Sequence, residues 1–285
     1  MEERQKKNKN KESNKAYYLF MFLIISAFIL ILWSRYISTK GLVVREYAVI
    51  NEKLPKDLHG LKIVHFTDLH YKTTVYENEL KVLVENINEL NPDIVVFTGD
   101  LMDKFSEYNE EDVNNLSTYL NKIEANIGKY VVKGNHDYSS IYFDAIIENT
   151  DFTFLKNSSE LIYYNGTTPI YLVGLDDSLE SKPDFSIINN EQNYYSILLT
   201  HEPDVYDDVK NYNFDLILAG HSHNGQVRFP LVGSIYKVNG AKKYYDEHYI
   251  LDNTEMFISG GLGTSKYKFR FLTKPSINFY RLYTK

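Results

Sequence analysis

A chain of 285 residues, 44% hydrophobic and 24% charged, can bury a full core, which excludes disorder as its default state. It has no cysteine, so disulfide scaffolds, thiolate metal sites and cysteine nucleophiles are excluded, and any metal must be held by His, Asp, Glu or Asn. The net charge is −7; the first sixteen residues carry +3 (Arg4, Lys6, Lys7, Lys9, Lys11 and Lys15 against Glu2, Glu3 and Glu12), leaving −10 for the rest, a balance that repels duplex nucleic acid.

From Ala16 to Trp33 the sequence AYYLFMFLIISAFILILW has no charge, which is near the lower limit for crossing a hydrocarbon core of roughly 30 Å. Tyr17 and Tyr18 at one end and Trp33 and Tyr36 at the other suit the two membrane interfaces. The length of the run and the lack of a small-residue cleavage site speak against a removed signal peptide. Residues 1–15 thus read as a basic cytoplasmic tail, 16–36 as a transmembrane anchor and 37–285 as one catalytic domain. Six Lys or Arg precede the span, against Arg35, Lys40 and Arg45 after it, so the positive-inside bias predicts a single-pass cell-membrane protein with its domain outside the cell.

Beyond the anchor, LVVREYAVI (42–50) alternates as a strand, and LKIVHF (61–66) is a second strand running into Thr67-Asp68-Leu69-His70. Leu80, Val84, Ile87 and Leu90 predict an amphipathic helix over 76–90, broken at Asn91-Pro92. DIVVFTGD then reads as a strand buried on both faces. A helix over 111–125, the strand of KYVVKGNHD and a short helix over 141–148 continue the pattern. Strand-like segments follow at 153–155, 161–163 and 170–173, then in YSILLTHEPD, FDLILAGHSH, MFISGGLGTS and SINFYRLYT. Alternating βα units followed by a strand-rich half predict an α/β fold of two packed mixed β-sheets flanked by helices, an α/β/β/α sandwich, behind one N-terminal transmembrane helix. In open α/β sheets a ligand site lies beyond the carboxyl ends of the strands.

Five apolar runs end in metal-competent residues: Asp68 and His70; Asp100 and Asp103; Asn135, His136 and Asp137; His201; and His221 and His223. Carboxylate, amide oxygen and neutral imidazole are the donors that hard or borderline divalent cations take. Asp-x-His and His-x-His spacings put alternate side chains on one side of an extended segment. Gly before Asp100, Asn135 and His221 permits sharp turns and close approach. His59, His65 and His248 belong to no such group and read as ordinary structural histidines.

The ordered set D-x-H, G-D-x-x-D, G-N-H-D, H and G-H-x-H resembles the calcineurin-like metallophosphoesterase family, and GHSHNGQVRFP with SGGLGTS is similar to its small membrane-associated branch. The resemblance implies one cation held by Asp68, His70 and His223, a second by Asn135, His201 and His221, and Asp100 bridging them. It further implies attack on phosphorus by a metal-bridging hydroxide, His136 as general acid at the leaving oxygen and Asp103 orienting it. Mn²⁺, Fe²⁺, Zn²⁺ and Ni²⁺ all suit such a mixed nitrogen and oxygen shell. Lys104-Phe105 stand where the family's phosphoprotein phosphatases have Arg-Gly, which argues against a phosphoprotein substrate. Tyr71, often Gly in relatives, predicts a narrower rim at the first metal.

The function so implied is hydrolysis of a phosphodiester, pyrophosphate or phosphomonoester, possible substrates including lipid-linked ones akin to UDP-2,3-diacylglucosamine. The competing reading is a membrane-tethered protein that binds metal and phosphate ligands without turnover. Asn224, Gln226 and Arg228 read either as contacts to substrate oxygens or as solvated surface. The segment around Ser265-Lys266 reads as a backbone cradle for phosphate, Asp137 as support for its own turn, and Asp176-Asp177 as a turn or rim.

Overall fold

The computed structural model describes residues 2–189 and 193–285, with side chains at Arg4, Gln5 and from Asn14 onward. Helix α1 (Glu2–Leu32) runs on through a π-helical turn (Trp33–Ile37). Over this helix and turn Asn14–Ile37 is long and apolar enough to cross a membrane, and of these residues only Ser34 is buried. At 1.5 Å per residue these 24 residues reach about 36 Å, enough for the hydrocarbon core. Most lysines of the expected basic tail fall at positions 6–13, outside the described side chains.

The chain then forms β1 (Val43–Asn51), β2 (Lys62–Phe66), α2 (Glu77–Glu89), β3 (Ile94–Phe97), α3 (Glu110–Asn121), β4 (Gly128–Val131), α4 (Phe143–Glu148) and β5 (Phe152–Phe154). It continues as β6 (Ser158–Ile162), β7 (Ile170–Gly174), β8 (Tyr195–Leu199), α5 (Tyr206–Val209), β9 (Leu216–Ala219), β10 (Arg228–Phe229), β11 (Gly233–Ser234), β12 (His248–Leu251), β13 (Thr254–Ile258) and β14 (Ser276–Thr284). One six-stranded sheet has the order β1-β14-β2-β3-β4-β5, the other β12-β13-β9-β8-β7-β6, and β10-β11 form a separate hairpin. The expected sandwich of two mixed sheets is therefore present.

Period-two alternation splits each strand between two cores. Ile63, Ile94 and Val96 face the second sheet, where they meet Leu172, Ile197, Leu199, Leu216 and Leu218. Their neighbours Val64, Val95 and Phe97 face outward onto Leu80, Val84 and Ile87 of α2 and Leu116 and Leu120 of α3. Helix α3 starts where Asn109 and Asp112 exchange reciprocal side-chain to backbone bonds at 2.9 and 3.1 Å, a capping box. The outer face of the second sheet is covered by short α5, 3₁₀ turns and the rings of Tyr206 and Tyr244.

The topology fixes where the N-terminal helix joins the sheet. β1 is parallel to β14, which is antiparallel to β2, and their registers pair Val43 with Ser276 and Asn278 with His65. The start of β1, just after the N-terminal helix, therefore lies at the same sheet end as the carboxyl ends of β2, β3 and β4.

Candidate metal centre

The loops after β2, β3, β4, β8 and β9 meet at that sheet end. Asp68, His70, Asp100, Asp103, Asn135, His136, His201, His221 and His223, the residues singled out by pattern, are all buried there. Three groups place one donor atom per residue within 4.8 Å of each other: Asp68, His70 and His223; Asp100, His201 and His221; and His70, Asp103 and His136. Asn135 lines the same cleft.

The donors converge by a different route from strand pleating. Asp68 (φ 51°), His70 (φ 42°), Asp100 (φ 59°), His221 (φ 65°) and His223 (φ 49°) all lie in the left-handed region, so the D-x-H and H-x-H segments are tight turns. Each such residue costs of order 1 kcal/mol, and strain of this kind persists where surrounding structure over-determines it. Of the three preceding glycines only Gly99 (φ 96°) takes a positive φ. Gly134 and Gly220 serve close approach instead: a Cβ on Gly134 would lie 2.3 Å from Asp100 Oδ1, and one on Gly220 2.1 Å from Thr67 Oγ1.

The hydrogen bonds determine which nitrogens face inward. His201 Nδ1 donates to the Thr98 carbonyl (2.6 Å) and His221 Nε2 to the Asn239 carbonyl (2.6 Å). Their other nitrogens, His201 Nε2 and His221 Nδ1, are thereby left as lone pairs 3.2 Å apart, and Asp100 Oδ2 lies 3.3 Å from the first. Three acceptors with no donor call for a cation. His70 Nε2 and His223 Nε2 likewise approach to 3.1 Å, with Asp68 Oδ1 3.7 and 3.4 Å away. Asp68 Oδ1 and Asn135 Oδ1 are buried without a hydrogen-bond partner, so the residues present fit two cations. Asp100 Oδ2 is 3.5 Å from His70 Nε2 as well, which puts one carboxylate oxygen between the two clusters.

Charge within the site follows from this crowding. Burial alone would push the His70 imidazole down, yet contacts with Asp103 and Asp68 and the Asp100 charge raise it to about 9. Burial likewise opposes charge on His201, but Asp100 lifts it well above the usual imidazole range. His221 is lowered to about 4 by burial and by the His201 charge. Burial would raise Asp103, and its bonds from His136 and His70 hold it below the usual carboxylate range instead.

Several supports had no clear signal in the sequence. Asp137 does more than hold its own turn: Oδ2 accepts from Asp100 N (2.8 Å) and Gly134 N (3.0 Å), and Oδ1 from Met102 N (3.0 Å), tying the second motif to the third. The glycine-rich turn is drawn into the protein, whereas Ser265 and Lys266 beyond it line the cleft. Leu262 N and Gly263 N donate to the Asp68 carbonyl (3.2 and 2.7 Å), and the fully buried Arg270 donates to the carbonyls of Gly260, Gly261 and Gly263. Tyr71 is packed in the core and does not narrow the cleft. Gln226 lines the cleft, whereas Arg228 pairs with Asp246 and bonds Asn224. Asp177 is buried behind the rim, its Oδ1 capping Leu179 N and Glu180 N. His65 bonds Thr98 and Tyr280 in the core, and His248 pairs with Glu255.

The cleft over these donors holds about 990 Å³ and is walled by Phe105, Phe229, Ile235, Tyr236 and Phe269, a mixture of acidic floor and apolar sides. Relatives include the metallophosphoesterase YkuE of Bacillus subtilis, 30% identical over 88% of this chain and 88% of its own. A transmembrane protein with metallophosphoesterase domain from Danio rerio is 29% identical over 74% of this chain and 51% of its own. UDP-2,3-diacylglucosamine pyrophosphatase LpxG of Chlamydia muridarum is 27% identical over 62% of this chain and 69% of its own. The sequence model of the calcineurin-like phosphoesterases matches residues 61–225, more than half of the chain. This chain therefore belongs to the calcineurin-like phosphoesterase family, hydrolases of phosphate esters that normally work with a binuclear divalent metal centre.

Proposed function

We propose that the chain is a membrane-anchored hydrolase of a phosphodiester or pyrophosphate bond in a lipid-linked substrate, with residues 1–15 in the cytoplasm, 16–36 crossing the membrane and 37–285 outside the cell. The observation that carries the chemistry is Asp100 Oδ2, within 3.5 Å of histidines from both clusters. Asp68, His70 and His223 would hold one cation, Asn135, His201 and His221 the other, and Asp100 both; Mn²⁺, Fe²⁺, Zn²⁺ and Ni²⁺ suit these donors. When bound, the pair supplies Lewis acidity and water made nucleophilic near neutral pH.

The protein's own groups handle the leaving oxygen. Asp103 Oδ1 accepts from His136 Nδ1 at 3.0 Å, which turns Nε2 toward the cleft, 3.4 Å from Ser265 Oγ. As the imidazolium, His136 would present its Nε2–H to the departing oxygen, with Asp103 orienting the ring and balancing its charge. The apolar walls, with a relative named for a diacylated sugar nucleotide, support a lipid-linked substrate.

Purified full-length protein given Mn²⁺ should hydrolyse both an aryl phosphodiester and a lipid-linked pyrophosphate. The lipid should be preferred by about tenfold or more in kcat/KM, since each buried methylene adds about 0.8 kcal/mol. A preference for the soluble ester would overturn the substrate reading, and no turnover of any phosphate ester the chemistry. Protease added to intact cells should remove the 37–285 domain; complete protection would reverse the proposed orientation.

A further inference from the structure

Two leucines beside the cleft take a left-handed backbone only to face solvent. Leu231 (φ 66°) sits at the tip of the β10–β11 hairpin, and Leu272 (φ 55°) on the adjoining loop, with Leu272 61% exposed and Leu231 wholly so. Left-handed backbone is unfavourable for a branched apolar residue, and neither side chain is buried in return. Val232, Ile235, Tyr236 and Tyr267 extend the same apolar surface, each at least 63% exposed. This exceeds the scattered exposed residues of an ordinary surface and marks an interaction site.

The partner is indicated by what adjoins the patch. Arg228 N donates to the Phe271 carbonyl at 3.0 Å and the rings of Phe229 and Phe271 pack at 5.6 Å, so the hairpin leans on Phe271. The preceding residue, Arg270, donates its backbone N–H to the Ser34 carbonyl at 3.0 Å, inside the π-helical turn that ends the N-terminal helix. Trp33, Tyr36 and Ile37 of that turn are exposed too. The apolar patch is thus continuous with the end of the anchor, on the sheet end where the anchor emerges. Residues 225–240 and 260–280 contain no Asp or Glu, and besides Arg228, which pairs with Asp246, and the buried Arg270 they carry Lys237, Lys266, Lys268 and Lys274 at the surface, in a chain of net charge −7. Apolar tips flanked by cations are the composition that sits at an anionic membrane surface.

We propose that the hairpin tip, with Tyr267 and Leu272, dips into the bilayer that the anchor crosses, so that the cleft opens against the membrane and draws its substrate sideways from it. This rests on the membrane-anchored reading above. Phe229, Ile235, Tyr236 and Phe269, which wall the cleft, then form a path from the bilayer to the candidate metal site, along which an acyl chain lies while its phosphate reaches the floor.

The absence of native cysteine allows single labels on the full-length chain in vesicles of phosphatidylglycerol and phosphatidylcholine. A polarity-sensitive fluorophore on Leu231→Cys should be quenched at least twofold by lipids with a nitroxide in the upper acyl chain. The same label on Glu52→Cys, beyond the far end of β1, should not be. Trp33, the single tryptophan, reports the anchor in the same sample. Quenching of Trp33 but not of the label at 231 overturns the hairpin contact and leaves the anchor standing; quenching of neither overturns both. Replacing Leu231 and Val232 together by Asp should cut turnover of a vesicle-borne lipid phosphate about tenfold and leave hydrolysis of a soluble aryl phosphodiester unchanged. Equal turnover of the vesicle substrate would overturn the access path, whereas no hydrolysis of either substrate by the native chain would overturn the proposed function itself.

Discussion

Asp100→Asn should lower turnover of every phosphate ester by on the order of 10³-fold or more while leaving the metal-free protein folded. The carboxylate meets both clusters through Oδ2 (3.3 Å to His201, 3.5 Å to His70) and accepts the His136 N–H through Oδ1 (2.9 Å). An asparagine keeps the oxygen that accepts the N–H and turns its NH₂ toward two imidazole lone pairs, so local packing survives. What is lost is the anionic oxygen between the cations. Elemental analysis should find the bound metal falling from two ions per chain to one or none, and a chelator should bring the native enzyme to the same low rate, reversibly. Full activity with two ions retained would remove Asp100 from its assigned place.

The same residue governs how metal uptake depends on pH. His70 is raised to about 9 and His201 well above its ordinary range, in each case against burial and by neighbouring carboxylates, Asp103 and Asp68 for the first and Asp100 for the second. In the metal-free site a proton on each ring therefore takes the place of the cation, and an incoming metal must displace it, for His70 up to about pH 9. Affinity should rise with pH up to about 9, roughly tenfold per unit for each proton released. In Asp100→Asn His201 loses the charge that raised it while His70 keeps Asp103 and Asp68, and calorimetry in buffers of different ionisation heat should count fewer protons released.

How far the sequence reached depended on what kind of signal a residue leaves. Asp68, His70, Asp100, Asn135, His201, His221 and His223 stood out because each closes a run of buried apolar residues, and polar side chains there need a reason. The two sheets were legible for the same cause, since Ile63 and Val64 or Val95 and Val96 face opposite cores with a period of two. Backbone handedness left no such trace: nothing in the letters D-L-H says that φ is 51° at Asp68 and 42° at His70. Pleat reasoning brought the right donors together by the wrong geometry. Supports were hidden because their partners are backbone atoms, as with Asp137 on three amides and Arg270 on three glycine carbonyls. The β10–β11 hairpin, two residues per strand, is too short for any alternation to show.

The second large effect separates proton transfer from metal binding. His136 stands outside both proposed ligand sets, yet its Nδ1 shares the Asp103 carboxylate with His70 Nδ1, at 3.0 and 3.4 Å. His136→Ala should therefore keep both cations and lose about 10²- to 10³-fold in kcat on an alkyl phosphodiester, whose leaving oxygen needs a proton. On a nitrophenyl ester, whose leaving group departs as a stable anion, the loss should be roughly tenfold, because protonation there contributes less to the barrier. Asp103→Asn should follow the same pattern more weakly, since the amide oxygen still accepts from His136 Nδ1 but carries no charge to balance an imidazolium. An equal loss on both esters, or loss of metal in His136→Ala, would move this histidine from the leaving oxygen to the metal shell and would make the third cluster, His70 with Asp103 and His136, a cation site instead of a proton donor and its carboxylate.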